Sequence, residues 1–537
     1  MKNRLFLSLF ALLFSLNTTA QTAEFLAHYT IDEVSDVMVQ FGVPEGFIDL
    51  QYEVDFYRVE YRTLHPNGDS IDVTGALCLP SNLDCPLPLS SYQHGTVALK
   101  TNVPSYENGE SQLGLLYACA GYAITMPDYI GLGDSPGLHL YVHAESEARA
   151  SLDLIRAAYD LQETLDFTLD DQLFLWGYSQ GGHATMALHR MIELDYPDEF
   201  EVSVAAPMSG PYDISGVQAD VITSDEEYPT PGYLPYVILS YQEVYGNLYD
   251  DLEDLFLPQY AAIIPDLFDG ENSMGFINNQ FPDVPSQALL PGVLESFEND
   301  PNNPIRLALE DNDVYDWAPQ SKTVLYYCEG DDQVGFMNSI VARDTMIANG
   351  AMDVTANDGG MLDHGDCAPG AMLAGFLRFE LDRIDTFDPI VTVDVSPNSD
   401  ANNPNGSISV EVENSEADWT YEWDNGASGT DLENLEEGTY TLTVADTQGC
   451  STSVTVDVDF GVGIEEESVL TNLSVDPEQR ILYVNKQGGR LLLFDMQGRV
   501  LFDRNVKANE SVALGDLPTG VYVAGMDNGS KVRFYLP

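Results

Sequence analysis

From residue 21 to about residue 388, short apolar runs alternate with longer segments whose apolar residues recur at helical spacing. The apolar runs predict strands at residues 87–93, 122–126, 173–176 and 323–327. The longer segments predict helices at residues 113–120, 144–165, 180–194 and 371–384. Strands that alternate with helices predict an α/β fold, in which a mainly parallel sheet is covered on both faces.

Between residues 211 and 320 this alternation fails. The stretch is rich in Pro, Tyr, Leu and acidic residues and has no clean strand–helix repeat. Because an insertion of this length inside a domain is usually functional, we interpret it as a lid over an active site. A peripheral helical subdomain is the alternative interpretation.

After residue 388 the pattern changes to short β-like runs separated by turns rich in Asn, Gly and Asp. Runs at 407–412 and 439–445 predict one small all-β module over residues 389–460. An acidic linker at 465–468 leads to a second module over residues 468–537, with turn signals about every ten residues, which is typical of a β-sandwich.

The first twenty residues differ from the rest of the chain. Lys2 and Arg4 precede an apolar run at 5–16, and small residues at 17–20 offer a cleavage site after Ala20. This pattern predicts a secretory signal peptide over residues 1–20. No later segment approaches the length of a transmembrane helix, so we expect a protein that is secreted or held at the outer cell surface.

The formal charge, 21 − 87 = −66, is extreme. Such a field repels nucleic acid and anionic membrane surfaces, and we expect no nucleic-acid partner. A saline habitat accounts for the large negative charge, and recruitment of a cationic partner is the alternative explanation.

Six cysteines in an exported chain permit disulfides, and they lack the paired spacing of a zinc site. Cys78 and Cys85 flank a short loop, which favours a local bridge. Cys328 and Cys367 lie three residues before and three residues after the acid and base proposed below, so a bridge between them would join those two loops.

The sharpest chemical signal is a G-x-S-x-G sequence at residues 177–181, directly after a buried strand and directly before a helix. In this tight turn the serine adopts strained backbone angles, and only small flanking residues avoid clashes. The turn presents the Ser179 hydroxyl at a helix N-terminus. Ser179 is therefore the candidate nucleophile.

A serine nucleophile needs a base and an orienting acid, which in this context follow it in the chain. The strand at 323–327 ends in an acidic loop, where Asp331 is the candidate acid and Asp332 the alternative. His364, which precedes the closing helix, is the candidate base. His183 lies inside the nucleophile helix, where we expect packing or hydrogen bonding instead.

An oxyanion needs two backbone donors. The Gln180 N–H lies at the helix N-terminus, where the helix dipole favours negative charge. The second donor is expected from His94 or Gly95 in the loop after an early strand, because Gly95 lets the backbone approach a substrate closely. The His94 side chain is interpreted as shaping this loop.

These residues resemble the secretory lipase family of the α/β-hydrolases. The matching segments are residues 92–96, 121–129, 131–135, 143–146 and 177–182, together with His364, within a similarity that covers about residues 50–385. The resemblance implies an α/β-hydrolase catalytic domain over residues 21–388. It also implies hydrolysis of carboxylic esters, small or lipid, by the triad Ser179, Asp331 and His364, without a cofactor.

The two tail modules resemble parts of Bacteroidota surface proteins. Residues 390–458 look like an SprB-type repeat, with Gly449 and Cys450 near its end. Residues 468–537 look like a type IX secretion sorting domain, judged by the segments 498–500 and 517–522. The resemblance implies passage through the type IX secretion machinery.

Two other functions remain open. A serine peptidase could use the same triad on the same fold, although no propeller-sized N-terminal domain or amine-recognising glutamate motif is evident. A non-catalytic surface protein is the second alternative. No metal is expected, because the acidic run at 311–316 lacks a glycine at its sixth position and Lys322 stands where an EF-hand needs glutamate.

Overall fold

The computed structural model describes most of the chain. The described residues are 21–40, 48, 50–81, 83, 85–108, 110–384, 390–399, 404–413, 419–446, 450–460, 467–468, 473–476, 480–484, 488–495, 500–515, 517, 520–526 and 531–536. The signal peptide predicted at residues 1–20 lies outside them. Within them, no helix is long and apolar enough to cross a membrane.

A nine-stranded sheet forms the centre of the α/β domain, in the order β1-β2-β3-β5-β4-β6-β7-β8-β9. The first three strands are antiparallel, and the six from β5 to β9 are parallel. The strands are β1 Thr22–Tyr29, β2 Val54–Leu64, β3 Ser70–Pro80, β4 Leu87–Gln93, β5 Ala123–Pro127, β6 Leu169–Tyr178, β7 Val202–Met208, β8 Lys322–Tyr327 and β9 Val354–Asp358.

Helices lie between and around these strands. They are α1 Ile31–Gln40, α2 Ser111–Cys119, α3 Ala144–Leu165, α4 Gln180–Asp195, α5 Ala219–Thr223, α6 Tyr233–Tyr245, α7 Pro258–Ala261, α8 Ile264–Leu267, α9 Met274–Asn278, α10 Val293–Asn299, α11 Pro304–Asp311, α12 Met337–Ala348 and α13 His364–Asp382. Short 3₁₀ turns occur at Pro104–Tyr106, Leu252–Asp254 and Pro285–Ala288, and a π-helical turn at Ile214–Gln218.

Alternate side chains of β6 enter two different apolar cores. Phe174 and Trp176 pack in the core that includes α2 and α13, whereas Leu173 and Leu175 pack in the core that includes α3, α4 and α12. A strand buried on both faces is typical of a parallel sheet covered on both sides. The predicted α/β class, with its helices on both faces, is confirmed.

Between β7 and β8 the chain forms α5 to α11, all of them short except α6. Their apolar residues share a third core, which includes Tyr236, Phe256 and Phe297. Because most of these helices have only one or two turns, none shows a helical period long enough to be read from the sequence.

The C-terminal region is all β. Its strands are β10 Ile390–Ser396, β11 Gly406–Glu413, β12 Thr420–Trp423, β13 Asp431–Leu435, β14 Gly438–Ala445, β15 Ser451–Val458, β16 Glu467–Ser468, β17 Leu473–Asp476, β18 Ile481–Val484, β19 Gly489–Asp495, β20 Val500–Val506, β21 Glu510–Ala513, β22 Gly520–Met526 and β23 Lys531–Leu536. They form four antiparallel sheets, and each of two apolar cores takes side chains from two sheets, as in a β-sandwich. The predicted all-β character of the tail is confirmed.

The two predicted disulfides have opposite outcomes. Cys328 and Cys367 are bonded, as predicted. The predicted Cys78–Cys85 bridge is wrong, because Cys78 points from β3 into the core beside α2, where burial raises the pKa of its thiol. Cys85 instead bonds to Cys450, 365 residues away, and this bond links the catalytic domain to the first β-sandwich.

Candidate active site

Ser179 lies in a tight turn between β6 and α4, in the left-handed region with φ 62° and ψ −124°. The two flanking glycines make this turn feasible. A Cβ on Gly181 would lie 1.9 Å from the Gln93 carbonyl oxygen, and one on Gly177 would lie 2.5 Å from the same atom. The turn therefore has the geometry that the sequence predicts, and it leaves the Ser179 side chain at the wall of a cavity.

Asp331 and His364 are in direct contact. The His364 Nδ1 lies 2.9 Å and 2.8 Å from the two carboxylate oxygens of Asp331. The same carboxylate accepts the backbone N–H groups of Gln333 and Val334, at 3.0 Å and 2.9 Å, which fixes its orientation. Among the described residues, the Asp332 side chain accepts one hydrogen bond, from the backbone N–H of His364 at 3.2 Å. Of the two candidate acids, Asp331 is the one that reaches the imidazole.

Tyr178, which precedes Ser179 in the chain, contacts the histidine of this pair. Its hydroxyl donates to the His364 carbonyl oxygen at 2.6 Å, and its ring centroid lies 4.8 Å from that of His364. Burial raises the pKa of Tyr178, so the hydroxyl keeps the proton that it donates. Tyr178 occupies the first variable position of the G-x-S-x-G sequence. No local sequence pattern predicts its contact with His364.

The Cys328–Cys367 disulfide connects the same two loops covalently. Cys328 follows β8 and precedes the acid, and Cys367 lies in the first turn of α13, after the base. The Asp363 side chain caps that helix by accepting the Asp366 N–H at 2.8 Å. Asp331 and His364, the candidate acid and base, are thus held by a helix cap, a disulfide and a shared hydrogen bond.

The predicted oxyanion loop is close to the turn. The His94 ring is buried between the Gly95 and Asp128 carbonyl oxygens, at 2.7 Å and 3.2 Å, which suits the expected loop-shaping role. The Gly95 N–H donates to Glu110 at 2.9 Å. Glu110, at the start of α2, was not singled out from the sequence. Glu110 thus accepts the Gly95 N–H, one of the groups that the sequence predicts as an oxyanion donor.

A cavity of about 890 Å³, part of it open to solvent, begins at Ser179 and Gln180. Its walls are almost entirely apolar and come from the segment between β7 and β8, including Leu234 and Val237 of α6, Leu294 and Phe297 of α10, and Leu309 of α11. These residues were predicted only as part of the lid segment 211–320 and not individually, because that stretch has no clean strand–helix repeat.

Comparisons with known proteins agree with this architecture. The family model described as secretory lipase matches residues 113–281. No curated protein matches the chain. Among solved structures, a single-residue mutant of the rice cell wall degrading esterase LipA from Xanthomonas oryzae is 30% identical, with a TM-score of 0.59, and the match covers 66% of this chain and 93% of that one.

Two other solved structures are similar. A protein of Legionella pneumophila described only as a hydrolase is 25% identical, with a TM-score of 0.63 over 68% of this chain and 99% of its own. Candida antarctica lipase A in its closed state is 14% identical, with a TM-score of 0.54 over 67% of this chain and 81% of that one, and shares the fold.

The sheet, the turn at Ser179 and these neighbours define an α/β-hydrolase. The chain belongs to the secretory lipase family, and it is a hydrolase of the lipase and esterase class.

Proposed function

We propose that the protein hydrolyses carboxylic esters through an acyl-enzyme intermediate on Ser179. The observation that carries this proposal is the Asp331–His364 pair, whose histidine contacts Tyr178, the residue that precedes Ser179 in a positive-φ turn at the wall of an apolar cavity. A nucleophile, a base and an orienting acid in this arrangement are the parts that acyl transfer requires.

In the first step the Ser179 Oγ attacks the ester carbonyl carbon while the His364 Nε2 takes the hydroxyl proton. The tetrahedral intermediate collapses, the bond to the alcohol oxygen breaks, and His364 returns its proton to that oxygen. In the second step His364 takes a proton from water, and the hydroxide attacks the acyl carbon. Ser179 then leaves with the proton. Asp331 holds the imidazole tautomer throughout.

Backbone donors stabilise the oxyanion. The Gln180 N–H, at the start of α4, is the first donor that we propose, and the loop at His94 and Gly95 supplies the second. Because Glu110 accepts the Gly95 N–H in the resting protein, the Gly95 N–H becomes free only when the Glu110 carboxylate moves. If the carboxylate stays, a neighbouring N–H of the loop is the second donor.

The segment 211–320 acts as a lid, and its apolar cavity holds the acyl chain. The cavity is concave and almost entirely apolar, as sites that enclose small organic ligands usually are. The apolar lining favours a hydrocarbon chain over a polar peptide, because a peptide would leave its backbone groups without hydrogen-bond partners.

We expect kcat/KM for p-nitrophenyl esters to rise from acetyl to at least octanoyl. Each methylene that enters an apolar cavity contributes about 0.8 kcal/mol, which is roughly fourfold in kcat/KM. Initial rates with esters from acetyl to palmitoyl, measured below their aggregation limits, test this. A Val237→Phe variant, which narrows the cavity, should reduce the rate for decanoyl more than the rate for acetyl.

A maximum at acetyl, with a steady fall for longer chains, would show that the cavity does not hold the acyl group. The esterase proposal itself would survive that result if the activity still depends on Ser179. Activity that is unchanged in Ser179→Ala would contradict the esterase proposal.

We further propose that residues 389–460 are an SprB-like module and that residues 468–537 are a sorting domain for the type IX secretion machinery. The support is the order of two small β-sandwiches after the hydrolase domain, with the motifs described above. The mature protein would then be secreted or held at the outer cell surface.

Removal of residues 468–537 should stop export in a host that has this machinery. The catalytic domain would then accumulate inside the cell envelope and not in the medium or on the surface. Fractionation followed by immunodetection measures this, with the full chain as control. A truncated chain that reaches the medium as efficiently as the full chain would contradict the sorting role.

A further inference from the structure

A second carboxylate is buried behind the nucleophile turn and has no part in the triad. Glu147, in the first turn of α3, has a fully buried side chain. Its Oε1 accepts the Gln180 Nε2 at 2.6 Å and the Val142 backbone N–H at 3.0 Å. Its Oε2 lies 3.1 Å from the His183 Nδ1. A buried carboxylate costs free energy unless it is paired and hydrogen-bonded, and here it accepts from an amide and a backbone N–H and lies against an imidazole.

Two of these partners belong to the first turn of α4. Gln180 is the first residue of the helix, and His183 follows three residues later. The His183 Nε2 continues the network to the Asn312 carbonyl oxygen at 3.0 Å, at the end of α11. The Asn312 side chain in turn accepts the Ala144 N–H at 2.8 Å, at the start of α3. Glu147 thus ties the beginning of α4 to the beginning of α3.

The Gln180 amide has a second acceptor. The His139 Nε2 lies 2.7 Å from the Gln180 Nε2, and its Nδ1 lies 3.0 Å from the Ile130 carbonyl oxygen. Burial lowers the pKa of His139 to about 3, so the ring is neutral and presents a lone pair to the amide. With Glu147 and His139 as acceptors, both amide hydrogens of Gln180 are used, which fixes the side chain in one orientation.

The backbone at Ser179, next to the anchored Gln180 side chain, is strained and must be held in place by its surroundings. Ser179 has positive φ, a conformation that costs a non-glycine residue about 1–3 kcal/mol and persists only when its surroundings enforce it. The Gln180 N–H belongs to the peptide bond that follows Ser179. Small rotations there would turn the N–H away from an oxyanion.

We propose that Glu147 is a positioning residue, which holds the Gln180 N–H toward the oxyanion by anchoring the Gln180 side chain together with His139. This inference rests on the proposed function, because it assumes that an oxyanion forms at Ser179. Glu147 does not touch the substrate. It acts through Gln180, so its loss should weaken the stabilisation of the transition state and leave ground-state binding unchanged.

Two variants test this link. Gln180→Met keeps the backbone N–H and a similar volume but removes both amide hydrogen bonds, and should lower kcat by about 10- to 100-fold. Glu147→Gln removes the charge from the short hydrogen bond and should lower kcat by about tenfold. In both variants KM should stay within about threefold. Inhibition by an alkyl trifluoromethyl ketone, which forms a tetrahedral adduct with a nucleophilic serine, should weaken by the same factor as kcat.

Glu193→Gln is the matched control. Glu193 lies near the other end of α4 and also pairs with a buried histidine, His189, at 2.9 Å. It accepts hydrogen bonds from Ser321 and Gln320 as well, far along the helix from Ser179. The substitution therefore disturbs a similar pair on the same helix, and kcat and inhibitor affinity should stay within about twofold.

The proposal is supported if Gln180→Met and Glu147→Gln lose kcat and inhibitor affinity in parallel while Glu193→Gln keeps both. It is overturned if folded Glu147→Gln or folded Gln180→Met keeps kcat within twofold, or if Glu193→Gln loses as much as Glu147→Gln. If Glu147→Gln does not fold, Gln180→Met alone decides. Failure of the proposed function would look different, since Ser179→Ala would then remain active.

Discussion

Ser179→Ala should lower kcat for p-nitrophenyl ester hydrolysis by about 10⁴- to 10⁶-fold. The substitution removes the proposed nucleophile, while the turn, the cavity and the Asp331–His364 pair stay in place. The residual rate would come from water attack in a site that still stabilises the oxyanion. Steady-state rates on a medium-chain ester, with the wild-type active sites titrated by a fluorophosphonate, measure the effect.

Ser90→Ala is the matched control for that experiment. Ser90 is a fully buried serine of β4, the strand next to β6. Its Oγ accepts the Nε1–H of Trp176, a residue of β6, at 3.0 Å. Its removal should cost about 1–2 kcal/mol of folding free energy and leave kcat within about twofold. If Ser179→Ala lost no more than Ser90→Ala, the nucleophile would have to be another residue.

The turn at Ser179 was predictable because all its determinants are local. Glycine at positions 177 and 181 prevents a clash between a Cβ atom and the Gln93 carbonyl oxygen. The buried strand before the turn and the helix after it are recognisable as apolar patterns. The contact between Asp331 and His364 was predictable for a related reason. Each follows a strand at the carboxyl edge of the sheet, so their positions in the chain imply their proximity.

Other features depend on contacts that no local pattern records. Glu147 looks like an ordinary polar residue in the sequence, and only the packing of α3 on α4 places it under Gln180. The Cys85–Cys450 bond joins residues 365 apart, so spacing favoured the wrong partner. Helix α13 begins at His364 and not at residue 371, because the Asp363 cap outweighs the breaking tendency of Gly365, Pro369 and Gly370.

Asp331→Asn should lower kcat by about 10³- to 10⁴-fold. An asparagine keeps the size of the side chain, but it cannot hold the imidazole tautomer with its Nε2 unprotonated and cannot stabilise the imidazolium that forms in the transition state. The Gln333 and Val334 N–H groups, which now point at the carboxylate, would also steer the amide oxygen and turn the amide nitrogen toward His364. Measurement of kcat at neutral pH, with the fold checked by circular dichroism, tests this.

Asp332→Asn separates the two candidate acids, because it makes the same chemical change one residue away. Asp332 accepts the His364 backbone N–H at 3.2 Å, and an asparagine retains an oxygen for that bond, so kcat should fall by less than about tenfold. A larger loss for Asp332→Asn than for Asp331→Asn would make Asp332 the acid. That result would require the His364 imidazole to leave the two Asp331 carboxylate oxygens, at 2.8 Å and 2.9 Å, and rotate toward Asp332. The Asp332 carboxylate now accepts the His364 backbone N–H. Since such a rotation would break a buried charge-assisted contact, the resting geometry argues for Asp331.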